Sequence, residues 1–385
     1  MNFLIWLKSK KRIIISCIIT GLLSSLITFV FMVYNDGISV FFAKQLINRY
    51  YVDDVDTKKL NEGIVNGMVH SLDDRFSLYI PSDYGFDRFN SDVTGEFEGI
   101  GITLKYVDSN SQVLEVFDGS PAEEGGILAG DIIVSSNDID LKGKTPSEVS
   151  DVLRGAKNTK VNLTVLRDGN LVTINDIERR EINAPSVNYK SFEDGIDYIY
   201  VSSFDGDTDK ELSDKLKDIS ETSEGLIVDL RDNPGGRLDV VLKSLDLFLD
   251  KGKLLIARYK NDNEEVYEST EGTEYDKPVV IIVNSNSASA SEIFAQAMKE
   301  RGRAQVVGVN TYGKGSIQRT FMLPDNAAVN LTVGRFYSPK GNVIDKVGVA
   351  PDYVVELSDE LNDTEIREIA FEQDAQLLKA IQLLK

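Results

Sequence analysis

The sequence predicts a multidomain α/β chain: an amino-terminal transmembrane helix, a helical arm, a small β-rich domain inserted before a larger α/β core, and a helical carboxy-terminal tail. Three observations carry this. A run of 22 uncharged residues begins at Ile13 and ends at Tyr34. Short β-branched runs separated by turn residues fill the stretch from Glu98 to about Arg179. Beyond Asp197, apolar strand-like runs alternate with helical spacing. The resulting segments are a basic cytoplasmic stretch (1–12), the anchor (13–34), the arm (35–95), the β-rich domain (96–180), the core (181–355) and the tail (356–385).

The apolar run is as long as a helix needs to be to cross a hydrocarbon core. Lys8, Lys10, Lys11 and Arg12 precede it, so the positive-inside rule keeps the amino terminus cytoplasmic and places the rest outside a cell membrane crossed once. A signal peptide would have a shorter apolar region and a small-x-small cleavage site, which is not found after Tyr34. Ile14-Ile15-Ser16-Cys17 mimics a lipoprotein box, but only Ile13 to Ser16 would precede the cut. In the arm, Phe41, Leu46, Tyr50, Leu60, Ile64 and Met68 recur at helical spacings until the pattern breaks near Pro81. Asp53-Asp54-Val55-Asp56 lacks the central Gly and final Glu of a calcium loop and reads as a solvated turn.

Composition narrows the chemistry. A net charge of −20 opposes any polyanionic partner, so no nucleic acid is expected. One histidine, His70, and one cysteine, Cys17, exclude a His-rich zinc site, a CxxC pair and a disulfide framework.

The β-rich stretch opens with Gly99-Ile100-Gly101-Ile102, continues through a strand over 113–117, a short helix after Gly119-Ser120-Pro121-Ala122, a strand from Asp131 and a helix over 147–153. It closes with a hairpin, 160–167 and 171–177, around Asp168-Gly169-Asn170. This stretch resembles a PDZ domain. The resemblance implies that backbone N–H groups at Gly99, Ile100, Gly101 and Ile102 hold a peptide's terminal carboxylate, while the strand edge accepts the peptide. A small, partly open barrel without a ligand is the alternative.

In the core, strands are expected at 198–202, 226–230, 254–258 and 279–284, and helices at 209–219, 238–249 and 291–301. In the tail, Ile366, Ile369, Ala370, Leu377, Leu378 and Ile381 continue helical spacing, which would pack on the core or on a partner subunit.

Two places invite chemistry. The stretch from Asn284 to Glu292, with serines at 285, 287, 289 and 291, is a strand-to-helix turn. Ser289 with Glu292 three residues on also reads as a capping box, and spacing alone identifies no nucleophile. Gly313-Lys314-Gly315-Ser316 forms, with Gly308, a near phosphate-binding loop. Gly315 stands where Ser or Thr would hold magnesium, and the lysine comes late in the chain. The other reading is a lysine desolvated until its neutral amine acts as a base. His70, in the arm, reads as a structural helix residue, and there is no G-x-S-x-G elbow.

Taken in order, the stretches Gly225 to Gly236, Ser287 to Ile293 and Thr311 to Gln318 resemble the signatures of the carboxyl-terminal processing proteases, PDZ-containing tail-specific serine peptidases. Tyr51-Val52-Asp53, Leu72-Asp73-Asp74, Tyr337 to Gly341 and Gly348 to Asp352 match as well, so the resemblance runs from about Ile47 to Val355. It implies Ser289 as nucleophile, Lys314 as general base, Gln318 as the residue orienting the lysine, and Gly235 and Ala290 N–H groups as the oxyanion hole. It further implies protein substrates with apolar or small carboxy-terminal residues, no metal or organic cofactor, and coupling of the PDZ domain to the active site, for which Arg154 and Arg167 are the candidates. The arm and tail suggest a homodimer. A catalytically inactive PDZ scaffold that binds protein carboxy termini is the alternative function. Arg75 follows Leu72-Asp73-Asp74 where the family commonly has proline, a departure expected to touch loop shape or dimer packing and not catalysis.

Overall fold

The computed structural model describes residues 2–34, 37–86, 97–107, 109–137, 139–182, 185–192, 195–361 and 369–385, together with 89, 364 and 366. The chain divides into two compact units, Met1–Asp74 and Arg75–Lys385.

The first unit is helical: α1 (Asn2–Tyr34), α2 (Gly37–Tyr50) and α3 (Thr57–His70). Asp56 caps α3, accepting the Lys58 and Lys59 N–H groups at 2.9 and 3.2 Å, which gives the acidic stretch at 53–56 its local role. His70 ends α3, exposed. Among the described residues no helix is long and apolar enough to cross a membrane. The expected anchor from Ile13 to Tyr34 therefore has no support in the structure.

The second unit opens with a correction to the arm. Its helical pattern breaks after His70, where β1 (Leu78–Ile80) is a strand pairing antiparallel with residues 328–330, and helical residues return at 86 and 89. Ile80 is buried there, so docking onto a sheet overrides the local helical spacing.

The β-rich domain follows: β2 (Phe97–Gly99), β3 (Ile102–Val107), β4 (Asn110–Val116), α4 (Pro121–Gly125), β5 (Ile132–Ser136), β6 (Ile139–Asp140), α5 (Pro146–Leu153), β7 (Lys160–Arg167), β8 (Asn170–Glu178) and β9 (Arg180–Ile182). Its main sheet has the order β3-β4-β5-β7-β8, so β3 is an edge. Asp168 and Gly169, both at positive φ, make the tight turn between β7 and β8. Thr145 and Glu148 form the capping box that starts α5.

The core runs β10 (Val187–Ser191), β11 (Ile196–Val201), α6 (Thr208–Asp218), β12 (Gly225–Asp229), α7 (Leu238–Asp246), β13 (Gly252–Tyr259), β14 (Glu264–Ser269), β15 (Val279–Val283), α8 (Ala290–Glu300), β16 (Ala304–Gly308), β17 (Ser316–Met322), β18 (Ala328–Tyr337), β19 (Tyr353–Val354) and α9 (Ala375–Leu384). A six-stranded sheet, β10-β11-β12-β15-β16-β19, is parallel except at β10. Strands β12 and β15 are buried throughout, as continuous apolar runs require when both faces are covered. Val228 and Ile281 face the layer of α6, α7 and α8. Their neighbours Ile227, Val280 and Ile282 face Leu377, Ala380 and Ile381 of α9, so the tail packs on the core. A second sheet joins β1, β18, β13 and β14, with β17 on β18.

Candidate active site

Loops leaving the carboxyl ends of three adjacent parallel strands, β12, β15 and β16, converge, which is where open α/β sheets place their sites. The loop after β15 distinguishes its serines. Ser287 is buried and donates its hydroxyl to the Leu230 carbonyl at 2.7 Å; Ser291 is buried and donates to the Asn233 carbonyl at 3.0 Å. Both serve the scaffold. Ser289 is half-buried at the start of α8 with φ 55° and ψ −111°, a backbone that L residues rarely adopt. Such strain persists only where the surroundings over-determine it, and it clusters at active sites. The turn is therefore a strained elbow built without the G-x-S-x-G sequence.

Glu292 is fully buried and brings the pieces together. One of its oxygens, Oε2, accepts the Ser289 N–H at 2.9 Å and the Lys314 N–H at 2.8 Å. The two backbone nitrogens therefore lie within about 6 Å of each other. The other oxygen accepts the Thr311 hydroxyl at 2.5 Å and the Gly313 N–H at 2.7 Å. The expected capping contact from Glu292 back to Ser289 is present, but the same carboxylate also fixes the lysine loop, 22 residues further on.

Lys314 sits half-buried in a clamped loop. Lys346 N–H donates to the Gly313 carbonyl at 2.8 Å and Phe336 N–H to the Gly315 carbonyl at 2.7 Å. A Cβ on Gly315 would lie 2.3 Å from the Asp345 nitrogen, so only glycine fits there. Burial pushes the Lys314 amine below the ordinary lysine range; Glu292 opposes this and Arg75 adds to it. The loop continues into β17, not into a helix, so the phosphate-binding alternative lacks the helix N-terminus it needs.

Arg75, expected to bear on loop shape or dimer packing and not on catalysis, stands beside this lysine. Its guanidinium lies 4.7 Å from the centroids of both the Phe76 and Tyr312 rings, and the Lys314 amine lies 5.0 Å from that of Phe76.

Gln318 donates its amide to the Ser316 hydroxyl at 2.8 Å and the Thr332 hydroxyl at 3.1 Å. Among the described residues no hydrogen bond joins it to the Lys314 amine. Gly235, at φ 109°, backs onto the elbow: a Cβ there would lie 2.7 Å from the Ala288 oxygen, 2.8 Å from Ser289 Cβ and 2.9 Å from the Ala290 nitrogen. Its own N–H donates to Asn233 Oδ1 at 2.8 Å. Asn233, which sequence reasoning passed over, is buried, donates its amide to the Val201 carbonyl at 2.9 Å, and accepts the Ala288 N–H at 3.0 Å through its backbone oxygen.

In the β-rich domain a cavity of about 300 Å³ lies between the Gly99 to Leu104 segment, with the edge strand β3, and α5; Phe117, Leu153 and Ile182 supply apolar walls and Arg154 also lines it. Gly101, at φ 83°, has no room for a Cβ, which would fall 2.4 Å from that of Ser120. The four predicted peptide-binding residues thus line one groove. Arg167, by contrast, is engaged within the domain, in a two-point pair with Asp131 at 2.7 Å.

Sequence comparison adds independent support. Residues 195–355 match peptidase family S41, 112–167 the PDZ domain, and 39–83 the activating protease CtpB N-terminal domain. The carboxy-terminal processing protease CtpA of Bacillus subtilis (strain 168) is 34% identical over 319 residues, covering 82% of this chain and 68% of that protein. The chain belongs to peptidase family S41, as a serine-type carboxy-terminal processing protease. A carboxy-terminal-processing protease of Bartonella bacilliformis is likewise 34% identical, over 80% of this chain and 73% of its own length. The chain spans 63% of a probable CtpA-like serine protease of Staphylococcus aureus (strain N315), at 35% identity over 81% of this chain. Among solved structures, the photosystem II D1 C-terminal processing protease superposes with a TM-score of 0.51 at 24% identity, over 82% of this chain and 86% of that one, a likeness of fold. The inactive-scaffold alternative is set aside.

Proposed function

We propose that this S41 peptidase cuts protein substrates by a Ser289–Lys314 dyad and selects them by their carboxy termini. The observation that carries the reading is the shared Glu292 oxygen, which draws the strained serine and the desolvated lysine together. Neutral Lys314 takes the hydroxyl proton as Ser289 Oγ attacks the scissile carbonyl carbon; the proton passes to the leaving amine and an acyl-enzyme remains. Lys314 then takes a proton from water as the water oxygen attacks the acyl carbon, and returns that proton to Ser289 Oγ as the acyl–Oγ bond breaks and the new carboxy terminus leaves. The Ala290 N–H, at the head of α8, and the Gly235 N–H are the proposed oxyanion donors. Because Asn233 holds the Gly235 N–H in this chain, the second role requires the 233–236 turn to shift when substrate binds. Gln318, on the strand after the lysine, is proposed to orient the amine through its carbonyl oxygen, since its amide nitrogen serves Ser316 and Thr332.

The groove beside β3 is proposed to take an apolar or small carboxy-terminal residue, with the peptide added as a strand along the exposed edge. Membrane attachment and action on extracytoplasmic proteins are proposed on sequence grounds: the uncharged run behind Lys8, Lys10, Lys11 and Arg12, with Ile18, Leu22, Leu26 and Phe29 exposed on α1. A homodimer through the helical first unit belongs to the same reading; Phe41, Phe42, Leu46 and Met68 are exposed on α2 and α3.

The test incubates the full chain with an unstructured protein ending in apolar residues, beside Ser289→Ala and Lys314→Ala. Cleavage by the parent alone is the expected result. Undiminished cleavage by either variant would remove the dyad.

A further inference from the structure

The segment that carries Arg75 is built onto the second sheet, the one that holds β17 after the lysine loop. Asn330 on β18 donates to the Phe76 carbonyl at 3.2 Å, and the Thr332 N–H donates to the Ser77 hydroxyl at 3.0 Å, before β1 completes the pairing with β18. Phe76 is thereby fixed, and its ring is approached by two cations, the Arg75 guanidinium at 4.7 Å and the Lys314 amine at 5.0 Å from its centroid. The two charges lie within about 10 Å of each other. A second ring, Tyr312, lies 4.7 Å from the same guanidinium and comes from the lysine's own loop, two residues before it. The arginine is exposed, yet it is bracketed by an aromatic pair that restricts where its charge can go.

We propose that Arg75 is a positioning residue for the catalytic lysine: held between Phe76 and Tyr312, it keeps a permanent positive charge beside the Lys314 amine and favours the neutral base. The proposal rests on the Ser289–Lys314 reading. A guanidinium suits the task because it does not lose its proton at any working pH, and its flat face stacks on rings. Like charge close to an amine disfavours the ammonium form, and burial of Lys314 acts in the same direction. The opposing group is Glu292 on α8, which favours the ammonium form. On the segment packed against the lysine loop, Asp345 is paired with Arg335 of β18 at 3.1 Å, and Lys346 meets the loop through its backbone N–H. Arg75 thus offsets part of the effect of a carboxylate that cannot be dispensed with, because Glu292 also holds the loop geometry. A proline at this position would supply no charge.

The experiment compares the full-chain parent with Arg75→Gln and Arg75→Lys. It measures kcat/KM against pH on a peptide that has an apolar carboxy terminus and no group titrating in the range. With Arg75→Gln, activity on the acidic limb falls about two- to 17-fold at fixed pH, the span that Coulomb interaction at about 10 Å gives between water-like and surface-like dielectric. The limb moves to higher pH and converges on the parent where the amine is neutral in both. Arg75→Lys follows the parent, and added salt narrows the gap between parent and Arg75→Gln. Superimposed limbs, a lysine variant that behaves like glutamine, or a uniform fall at every pH would each overturn the proposal. Lys314→Ala alongside separates the failures: surviving activity there removes the base reading itself, whereas loss of activity there with superimposed limbs removes only the role of Arg75.

Discussion

Replacing Glu292 by glutamine separates the two things its carboxylate does. The carboxylate accepts four hydrogen bonds, from Ser289 N–H, Lys314 N–H, Gly313 N–H and the Thr311 hydroxyl. A glutamine keeps one oxygen and turns the other into an NH₂ donor. If the amide nitrogen faces Ser289 and Lys314, two backbone N–H groups meet a donor; if it faces the other pair, Gly313 loses its acceptor. Each buried N–H left without a partner costs about 1–3 kcal/mol, so the loop or the elbow must move. On the proposed dyad, a displacement of about 1 Å between the Ser289 hydroxyl and the Lys314 amine is enough for a loss near 100-fold in kcat, while KM, set by distant contacts, changes much less. The electrostatic effect has the opposite sense. The carboxylate raises the affinity of Lys314 for its proton, so its removal lets the amine become neutral at lower pH. The acidic limb of the pH profile therefore moves down while the plateau falls. Steady-state kcat and KM across pH, with a thermal melt to confirm folding, measure both movements. A folded Glu292→Gln variant with parental kcat, or one whose limb moves upward, refutes the reasoning.

Two further perturbations test the supports of the elbow. Gly235→Ala forces a Cβ to within 2.7 Å of the Ala288 oxygen and 2.8 Å of Ser289 Cβ, at φ 109°. Activity is expected to fall at least as far as in Glu292→Gln, with stability lowered by about 1–3 kcal/mol in urea titration; parental kcat would contradict it. Asp374→Asn weakens a buried network in which the Arg231 guanidinium donates to Asp374 at 3.0 and 2.8 Å and to Gln376 at 3.1 Å. Arg231 keeps Asp229, so the loss of the second carboxylate costs about 1.5–3 kcal/mol, visible as a lower urea midpoint; an unchanged midpoint would show the Asp374 contact to be dispensable.

Much of the architecture was legible because its signals are local. The apolar runs at 226–230 and 279–284 emerge as β12 and β15, within a residue of the expected limits, because parallel strands covered on both faces must be apolar throughout. The Asp168-Gly169 turn was legible because the turn itself demands positive φ. Short pieces decided by tertiary pairing were not: Leu78, Tyr79 and Ile80 become a strand only because β18 is there to receive them. For the site, spacing marked a strand-to-helix turn carrying four serines, identified no nucleophile among them, and offered capping as the use of Glu292. The structure reveals what spacing cannot, that Ser287 and Ser291 are tied to Leu230 and Asn233, and that Glu292 also grips residues 311–314. The closeness of Arg75 to Lys314 was hidden for the same reason, since 238 residues separate the two side chains that approach one ring. Asn233 left one usable trace, its place before Pro234-Gly235-Gly236, where an Asx side chain commonly closes a turn.

The strained Ser289 backbone explains why so many separate segments meet at this place. A non-glycine residue in such a conformation costs about 1–3 kcal/mol and relaxes unless held from several sides. Glu292 holds it from the helix that follows, Asn233 from the turn after β12 by way of the Ala288 N–H, and Ser287 from below through Leu230. The turn after β12 needs an anchor of its own, which is Arg231, buried between Asp229 and Asp374 at the point where strand becomes turn. Asp374 is the N-cap of α9, accepting the Leu377 N–H at 3.0 Å, so the same carboxylate that starts the tail helix also braces the turn that packs against Ser289. A helix read from sequence as packing on the core or on a partner is thus one hydrogen-bonded step from Arg231, the residue that leads into Asp232 and Asn233. Loosening it lets the elbow relax, and catalysis should fail before the sheet does.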